Sequence, residues 1–316
     1  MNNKPFISVV LSFRNEEEVL PELIRRLHNS LEPLKINYEL IFVNDASTDN
    51  SLKILMEKAE DDKHIKIINM SRRFGAFPCI LAGMKYSKGS AVIYMDADLQ
   101  DPPEIIPQLI DKWQEGADVV YTTRIARNGE SAIKKWVTKL GYRILSFTSE
   151  DIKLPLDSGD FKLLSRRVID ELLKLKEKDP FPKGLIPWVG FRQVPVFYRR
   201  ERRFAGKTHC PFLGGDTIKR FIYGLISFSS LPLYTALFMG FIIFLVTFIY
   251  LIIIIVRKYL GFHMSTWSMV MLAVLFLGGI QLLTIGILGS YLGRIYNEVK
   301  NRPQYIIEST FGFKDE

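Results

Sequence analysis

Read as a string of apolar and polar positions, the chain changes period several times. Residues 7–12 form an apolar run of strand length, broken by Phe13-Arg14-Asn15-Glu16, and residues 17–31 then recur at helical spacing. Residues 39–44 predict a second strand, closed by Asn44-Asp45-Ala46-Ser47-Thr48-Asp49. Ser47 or Thr48 is placed there to cap a helix running to about Asp61. Residues 65–69 predict a third strand, followed by Arg72-Arg73-Phe74-Gly75 and a helix to Lys88. Residues 91–95 predict a fourth strand, 104–115 a helix and 118–123 a fifth strand. Strands alternating with helices predict an α/β fold with a mainly parallel sheet covered on both faces. Beyond Thr123 the pattern loosens. Arg124, Arg127, Lys134, Lys135, Lys139 and Arg143 fall in a loop and a helix, residues 156–161 connect to a helix over 166–176, and 193–198 read as a late strand.

Two later stretches have no polar face. Residues 233–256 carry no charge over 24 positions and residues 265–292 none over 28. A membrane-crossing helix needs about 20 such residues. With Arg257-Lys258-Tyr259 and Gly261 between them, they predict a hairpin of two C-terminal transmembrane helices. Residues 216–230 put Ile218, Phe221, Ile222, Leu225 and Ile226 on one helix face and Lys219 and Arg220 on another, as an interfacial helix does. The expected organisation is a catalytic domain over 1–208, a juxtamembrane amphipathic helix over 209–231, the hairpin over 232–292 and a tail over 293–316. Arg294, Lys300 and Arg302 in the tail place it, with the catalytic domain, on the cytoplasmic side.

Composition sharpens this picture. Lys and Arg total 42 against 34 Asp and Glu, a formal charge of +8 that suits a polyanionic partner. Cys79 and Cys210, far apart, make neither a disulfide framework nor a zinc site and fit a reducing compartment. The polar N-terminus runs straight into a strand, with no signal-peptide pattern.

The chemistry concentrates after the fourth strand. Asp96 and Asp98 stand at its carboxyl end, Gln100 and Asp101 follow, and Pro102-Pro103 opens a helix at Glu104. Ligands of open α/β sheets bind at that end of the strands. Two carboxylates and an amide oxygen suit Mg²⁺ or Mn²⁺, which would in turn hold phosphates. The competing reading of Asp-x-Asp is turn chemistry alone. Glu16, Asp45, Arg72, Asp96, Asp98 and Arg124 would share one sheet edge. No G-x-G-x-x-G follows the first strand, and Gly206-Lys207-Thr208 lacks the earlier glycine of a P-loop, that position being Glu201. A nucleotide held by carboxylates, a metal and basic residues is what remains. Between Arg199 and Lys207 five of nine residues are basic, a run that fits anionic lipid head groups or a phosphorylated substrate.

Asn15-Glu16, Asn44-Asp45-Ala46-Ser47 and Met95-Asp-Ala-Asp-Leu-Gln-Asp-Pro-Pro103 resemble the family 2 glycosyltransferases, whose GT-A fold binds nucleotide-diphosphosugars. Asp157-Ser-Gly-Asp-Phe161, the Arg200–Lys207 stretch and the two apolar segments are similar to the polyprenyl-phosphate glycosyltransferases, among them bactoprenol glucosyltransferases and, more distantly, dolichol-phosphate mannose synthase. The resemblance implies roles. Phe13, Glu16 and Asp45 would line the nucleotide pocket; Asp96, Asp98 and Gln100 would hold Mg²⁺ or Mn²⁺ on the donor diphosphate; Arg200 and Lys207, with Arg202, would close over the phosphates. Arg124, Lys134 or Lys135 and Arg202 would meet the acceptor phosphate, and Asp157 would be the catalytic base. It implies a bacterial inner-membrane enzyme moving one sugar, best matched by glucose from UDP-glucose, with inversion onto undecaprenyl phosphate. Nucleic acid is not an implied partner, and a homo-oligomer is left open. Ala76-Phe77 after Gly75 depart from relatives that carry a polar or basic residue there, and the Gln-x-x-Arg-Trp motif of processive synthases is absent. Two rivals stand beside this reading, a non-catalytic nucleotide-sugar-binding membrane scaffold and a flippase-associated subunit. For Asp157 a base, a charge-stabilising carboxylate and a plain turn residue all remain open.

Overall fold

The computed structural model describes residues 6–125, 158–175, 177, 182–204, 231–260 and 266–313. Its first half follows the alternation: β1 (Phe6–Phe13), α1 (Leu20–Leu31), β2 (Asn37–Asn44), α2 (Ser51–Asp61), β3 (Ile65–Met70), α3 (Ala76–Tyr86), β4 (Ala91–Asp96), α4 (Ile106–Gln114) and β5 (Val119–Arg124). Then come β6 (Ser158–Ser165), α5 (Arg166–Lys174), α6 (Pro182–Trp188), β7 (Gln193–Tyr198), two long helices, α7 (Leu231–Tyr259) and α8 (Thr266–Val299), and β8 (Ile307–Phe311). The strands form one eight-stranded sheet in the order β7-β5-β6-β4-β1-β2-β3-β8.

The central strands are apolar on both faces because helices cover both. Val9, Leu11, Leu40, Phe42, Ile93 and Met95 pack with Leu20, Leu23 and Leu27 of α1 and Leu109 of α4. Val10, Ile41, Val43 and Val92 pack on the other side with Ile80 and Met84 of α3 and Val168 and Ile169 of α5. β1 pairs in parallel with β2 and β4, and β2 with β3, so that Phe13 lies opposite Asn44, Ser12 opposite Asp96 and Asn44 opposite Asn69. Arg124 lies opposite Tyr198 in the parallel β5–β7 pair. The polar strand ends therefore converge on one edge.

Several features depart from the sequence expectation. The hydroxyls of Ser47 and Thr48 do not cap α2. Asn50 is its N-cap residue, without a side-chain cap bond, while Ser47 Oγ accepts from the Asn15 N–H at 3.0 Å and Thr48 Oγ1 from Asn15 Nδ2 at 3.2 Å. Those hydroxyls tie two loops together instead. The helix expected from Glu104 begins as a 3-10 turn over Pro103–Ile105. Residues 158–165, of which 158–161 were read as a connection, form β6, antiparallel to both β4 and β5. Residues 307–311, expected in a free tail, form β8, antiparallel to β3. The juxtamembrane helix expected over 209–231 lies outside the described residues except for its last position.

Helices α7 and α8 occupy the two apolar stretches, and they pack against each other. Among the described residues one segment, Phe276–Val299, has the length and composition to cross a membrane, and none of it is buried within the protein. A shorter apolar stretch, Phe238–Tyr250, lies in α7.

At the edge opposite the convergent strand ends, Gly89 permits a close chain crossing. A Cβ there would stand 2.6 Å from Ser8 N and 2.7 Å from the Ala91 carbonyl oxygen. Both are backbone atoms that cannot swing aside. Gly89→Ala should cost about 1–3 kcal/mol, the usual range for overpacking, seen as a lower melting temperature of the detergent-solubilised protein. An unchanged melting temperature would show that the crossing relaxes freely.

Candidate active site

Four loops leave the parallel strands at the convergent edge, and three bend through backbone strain. Asn15, Ala46 and Leu99 have φ of 54°, 53° and 56°, in the left-handed region, and Gly75 has φ of 98°. For an alanine or a leucine this conformation costs about 1–2 kcal/mol. Strain of this kind gathers at functional sites, where the surrounding structure holds it. Leu99 is fully buried, which anchors the turn from below. The turn lifts Asp98 and Gln100 to either side, and Gln100 N–H donates to Asp98 Oδ1 at 3.1 Å.

Asp96, Asp98, Asp101 and Asp160 crowd together here. Burial pushes the Asp96 carboxyl up to about 7, and the charges of Asp160, Asp98 and Asp101 add to the shift while Arg200 opposes it. Asp101 is 1% exposed; it accepts from the Tyr198 hydroxyl and lies 3.6 Å from Arg200 Nε. Burial also raises Asp101, against the pull of Tyr198, Arg200 and Arg124. Arg124 Nε donates to the same Tyr198 hydroxyl at 3.3 Å. Tyr198 thus joins a buried carboxylate to a guanidinium.

The segment after β7 crosses this cluster, held by the Glu201 N–H donating to the Gln100 carbonyl at 2.9 Å. Arg203 makes an ion pair with Glu16 and reaches Asp98 Oδ2 at 3.9 Å. Burial pushes the Glu16 carboxyl up to about 7; Arg203 lowers it, and Asp98 and Asp49 raise it further. Among the described residues, the buried side-chain polar atoms without a hydrogen-bond partner are Glu16 Oε2, Tyr94 OH and Arg200 Nε. Each belongs to a residue electrostatically coupled to this acidic cluster. Buried polar atoms in native folds are seldom left so. Their concentration here marks a place built for a polar ligand.

The residues singled out from sequence fall unevenly. Glu16, Asp96, Asp98, Gln100, Arg124 and Arg200 share this edge. Phe13 is in the core, edge-to-face with Phe42, and only its carbonyl faces the loops, accepting from Asp45 N–H at 3.0 Å. The Asp45 carboxylate accepts from the Phe74 N–H at 2.6 Å and the Gly75 N–H at 3.0 and 3.1 Å, so it shapes the loop after β3. Arg202 is exposed. Lys134, Lys135, Asp157 and Lys207 lie outside the described residues. Asp101, Asp160, Tyr198 and Arg203 received no role from sequence. Asp101 lies within Met95–Pro103 and Asp160 within Asp157–Phe161. Within a continuous basic run, nothing distinguishes the inward Arg203 from the outward Arg202.

A divalent cation fits this donor set. Hard carboxylate oxygens crowd together at a partly desolvated edge, where a positive ion would relieve their repulsion. Among the described residues no three His, Cys, Asp or Glu side chains converge enough to cage an ion unaided. Mg²⁺ and Mn²⁺ complete such shells with water and phosphate oxygens.

The raised carboxyl gives a signed prediction. The Asp96 pKa is raised in the folded metal-free state, so its contribution to stability is present below the unfolded value near 4 and is lost as pH rises through about 7. Asp96→Asn should therefore raise the melting temperature of the metal-free protein by several degrees at pH 8 and hardly at all at pH 4. Equal shifts at both pH values would show that the carboxyl is not destabilised by its surroundings.

Comparison with known proteins identifies the family. Residues 8–173 match the family described as Glycosyl transferase family 2. The uncharacterized glycosyltransferase YkcC of Bacillus subtilis is 43% identical over 98% of this chain and 95% of its own length. The uncharacterized glycosyltransferase sll0501 of Synechocystis is also 43% identical, over 98% of this chain and 96% of its own. The SfII prophage-derived bactoprenol glucosyl transferase of Shigella flexneri is 37% identical over 96% of this chain and 98% of its own. The acidic strand edge, its arginines and these near full-length relatives identify the chain as a glycosyltransferase, a member of glycosyl transferase family 2.

Proposed function

We propose that this protein transfers one sugar from a nucleotide-diphosphosugar to a polyprenyl phosphate at the cytoplasmic face of a bacterial inner membrane. The best-supported pair is UDP-glucose and undecaprenyl phosphate, because the Shigella relative is named a bactoprenol glucosyl transferase and aligns through both long helices. The observation that carries the reading is the two-signed edge: Asp96 and Asp98 beside Arg124, Arg200 and Arg203. One donor diphosphate and one acceptor phosphate both need such a mixture. α7 and α8 would cross the bilayer as a hairpin, with residues 209–231 lying in the interface. That architecture keeps a water-insoluble acceptor tail in lipid while its phosphate reaches the site.

In this reading Asp96, Asp98 and the Gln100 side chain would hold Mg²⁺ or Mn²⁺, which would supply positive charge to the diphosphate leaving group. Glu16 and Asp45 would line the nucleotide pocket. Arg200, Arg203 and Lys207 close over the donor phosphates. Arg124, one of Lys134 or Lys135, and Arg202 orient the acceptor so that its phosphate oxygen attacks the anomeric carbon as the bond to the diphosphate breaks, inverting that centre. A phosphate monoester has a second pKa near 6, so the acceptor is largely ionised at neutral pH. Asp157 has little proton to remove, and its carboxylate serves mainly to orient the acceptor or stabilise charge on the sugar ring.

The test is transfer of radiolabel from UDP-glucose into an organic-soluble product, in detergent with undecaprenyl phosphate and Mg²⁺ or Mn²⁺. Asp98→Ala should abolish metal-dependent turnover in a folded protein. Full activity of that variant, or of the wild type in excess EDTA, would refute the metal assignment. Asp157→Asn should cut turnover by about 10²–10⁴ while donor affinity stays unchanged. A deficit that stays constant above pH 7 supports charge stabilisation, and one that shrinks as pH rises supports proton abstraction. Nucleotide-sugar binding with no transfer to any polyprenyl phosphate would favour the scaffold.

A further inference from the structure

The donor-site loops are tied to a strand that enters the sheet after both long helices. β8 pairs with β3, with Ile67 opposite Phe311 and Asn69 opposite Ser309. The register shifts between Asn69 and Met70. Bulges of this kind re-aim side chains beside functional sites. Here Asn69 Nδ2 donates to Glu308 Oε2 at 2.7 Å. Asn69 Oδ1 accepts from Asn44 Nδ2 at 2.8 Å, and Asn44 Oδ1 accepts from the Ser47 N–H at 2.9 Å. Ser47 Oγ accepts from the Asn15 N–H at 3.0 Å, and Asn15 Oδ1 from the Thr48 N–H at 2.8 Å. The relay runs unbroken from Glu308 to the two strained loops at Asn15 and Ala46, which flank Glu16 and Asp45.

Its direction is fixed at both ends: the Ser47 backbone N–H can only donate, and the Glu308 carboxylate can only accept. An ionised carboxylate can only accept, so Asn69 must present its amide N–H₂ there and its oxygen to Asn44. Asn44, 2% exposed, then has its own oxygen left for the Ser47 N–H. Without Glu308 the Asn69 N–H₂ loses its charged acceptor, and that amide, with the loop after β2 that it supports through Asn44, is held less firmly. Packing holds the strand in place independently. Phe313 stacks edge-to-face on Tyr86 at 5.3 Å, and the Ile306 carbonyl accepts from the Ser71 N–H at 3.1 Å.

We propose that Glu308 is a positioning residue for the nucleotide-binding loops, acting through Asn69 and Asn44 to anchor the hydrogen bonds that hold Ser47. The inference rests on the reading that the donor nucleotide occupies this edge. It concerns affinity for the donor, not the transfer step.

The test measures binding of UDP and of GDP, each with Mg²⁺, to the full-length protein in detergent, together with KM and kcat for transfer. Glu308→Ala should weaken nucleotide binding and raise the donor KM about 5- to 10-fold, the scale of one charge-assisted hydrogen bond, with kcat and melting temperature nearly unchanged. Glu308→Gln keeps an accepting oxygen and should bind like the wild type. Glu308→Lys presents only donors and should bind more weakly than Glu308→Ala. Wild-type affinity in the alanine and lysine variants, or a loss that tracks melting temperature in all three, would overturn the proposal. Failure of the wild type to bind either nucleotide would instead overturn the functional reading, and this inference with it.

Discussion

Negative charge that no single element can neutralise governs this fold. Asp96 and Asp98 end the central strand, Asp101 lies buried beneath them and Asp160 arrives from β6. Left alone, four carboxylates at a desolvated edge would repel one another strongly. Their compensation comes from sequence far away: Arg124 at the end of β5, and Arg200 and Arg203 beyond β7. The parallel pairing of β7 with β5 is what delivers those arginines to the right edge. Sheet topology and site electrostatics are therefore one problem with one solution.

The compensation is incomplete. Asp96 and Glu16 both retain carboxyls raised to about 7, and Glu16 Oε2 and Arg200 Nε lack hydrogen-bond partners. A fully paired cluster would have been more stable and chemically inert. Strained turns at Asn15, Ala46 and Leu99 belong to the same compromise. Those at Asn15 and Leu99 are held by one core, where Phe13 and Leu99 are both buried.

The first five strands were legible because each is a short apolar run closed by polar turn residues, and the helices between them keep a 3.6-residue period. Asp96 and Asp98 were legible for the same reason: they stand where an apolar strand stops. β6 was hidden because Ser158-Gly159-Asp160 reads locally as a bend, and only pairing with β4 and β5 makes it a strand. β8 was hidden because it is a largely exposed edge strand, Ile307–Phe311, with little apolar content to announce it. Asp45 shows the remaining limit. Its position at a strand end was plain, but not that its carboxylate would be taken up by the Phe74 and Gly75 amides, because those contacts join loops 29 and 30 residues apart.

The placement of β8 bears on how the protein is made. Its hydrogen bond from Asn69 to Glu308 closes a separation of 239 residues, and both long apolar helices lie between. A ribosome would deliver the other seven strands, then α7 and α8, before β8 emerged. Throughout that interval β3 would present an unpaired edge, the kind of surface that recruits foreign strands. Closing it waits on residues 307–311, so a chain stalled before them would leave the sheet open and Asn69 without its bond to Glu308.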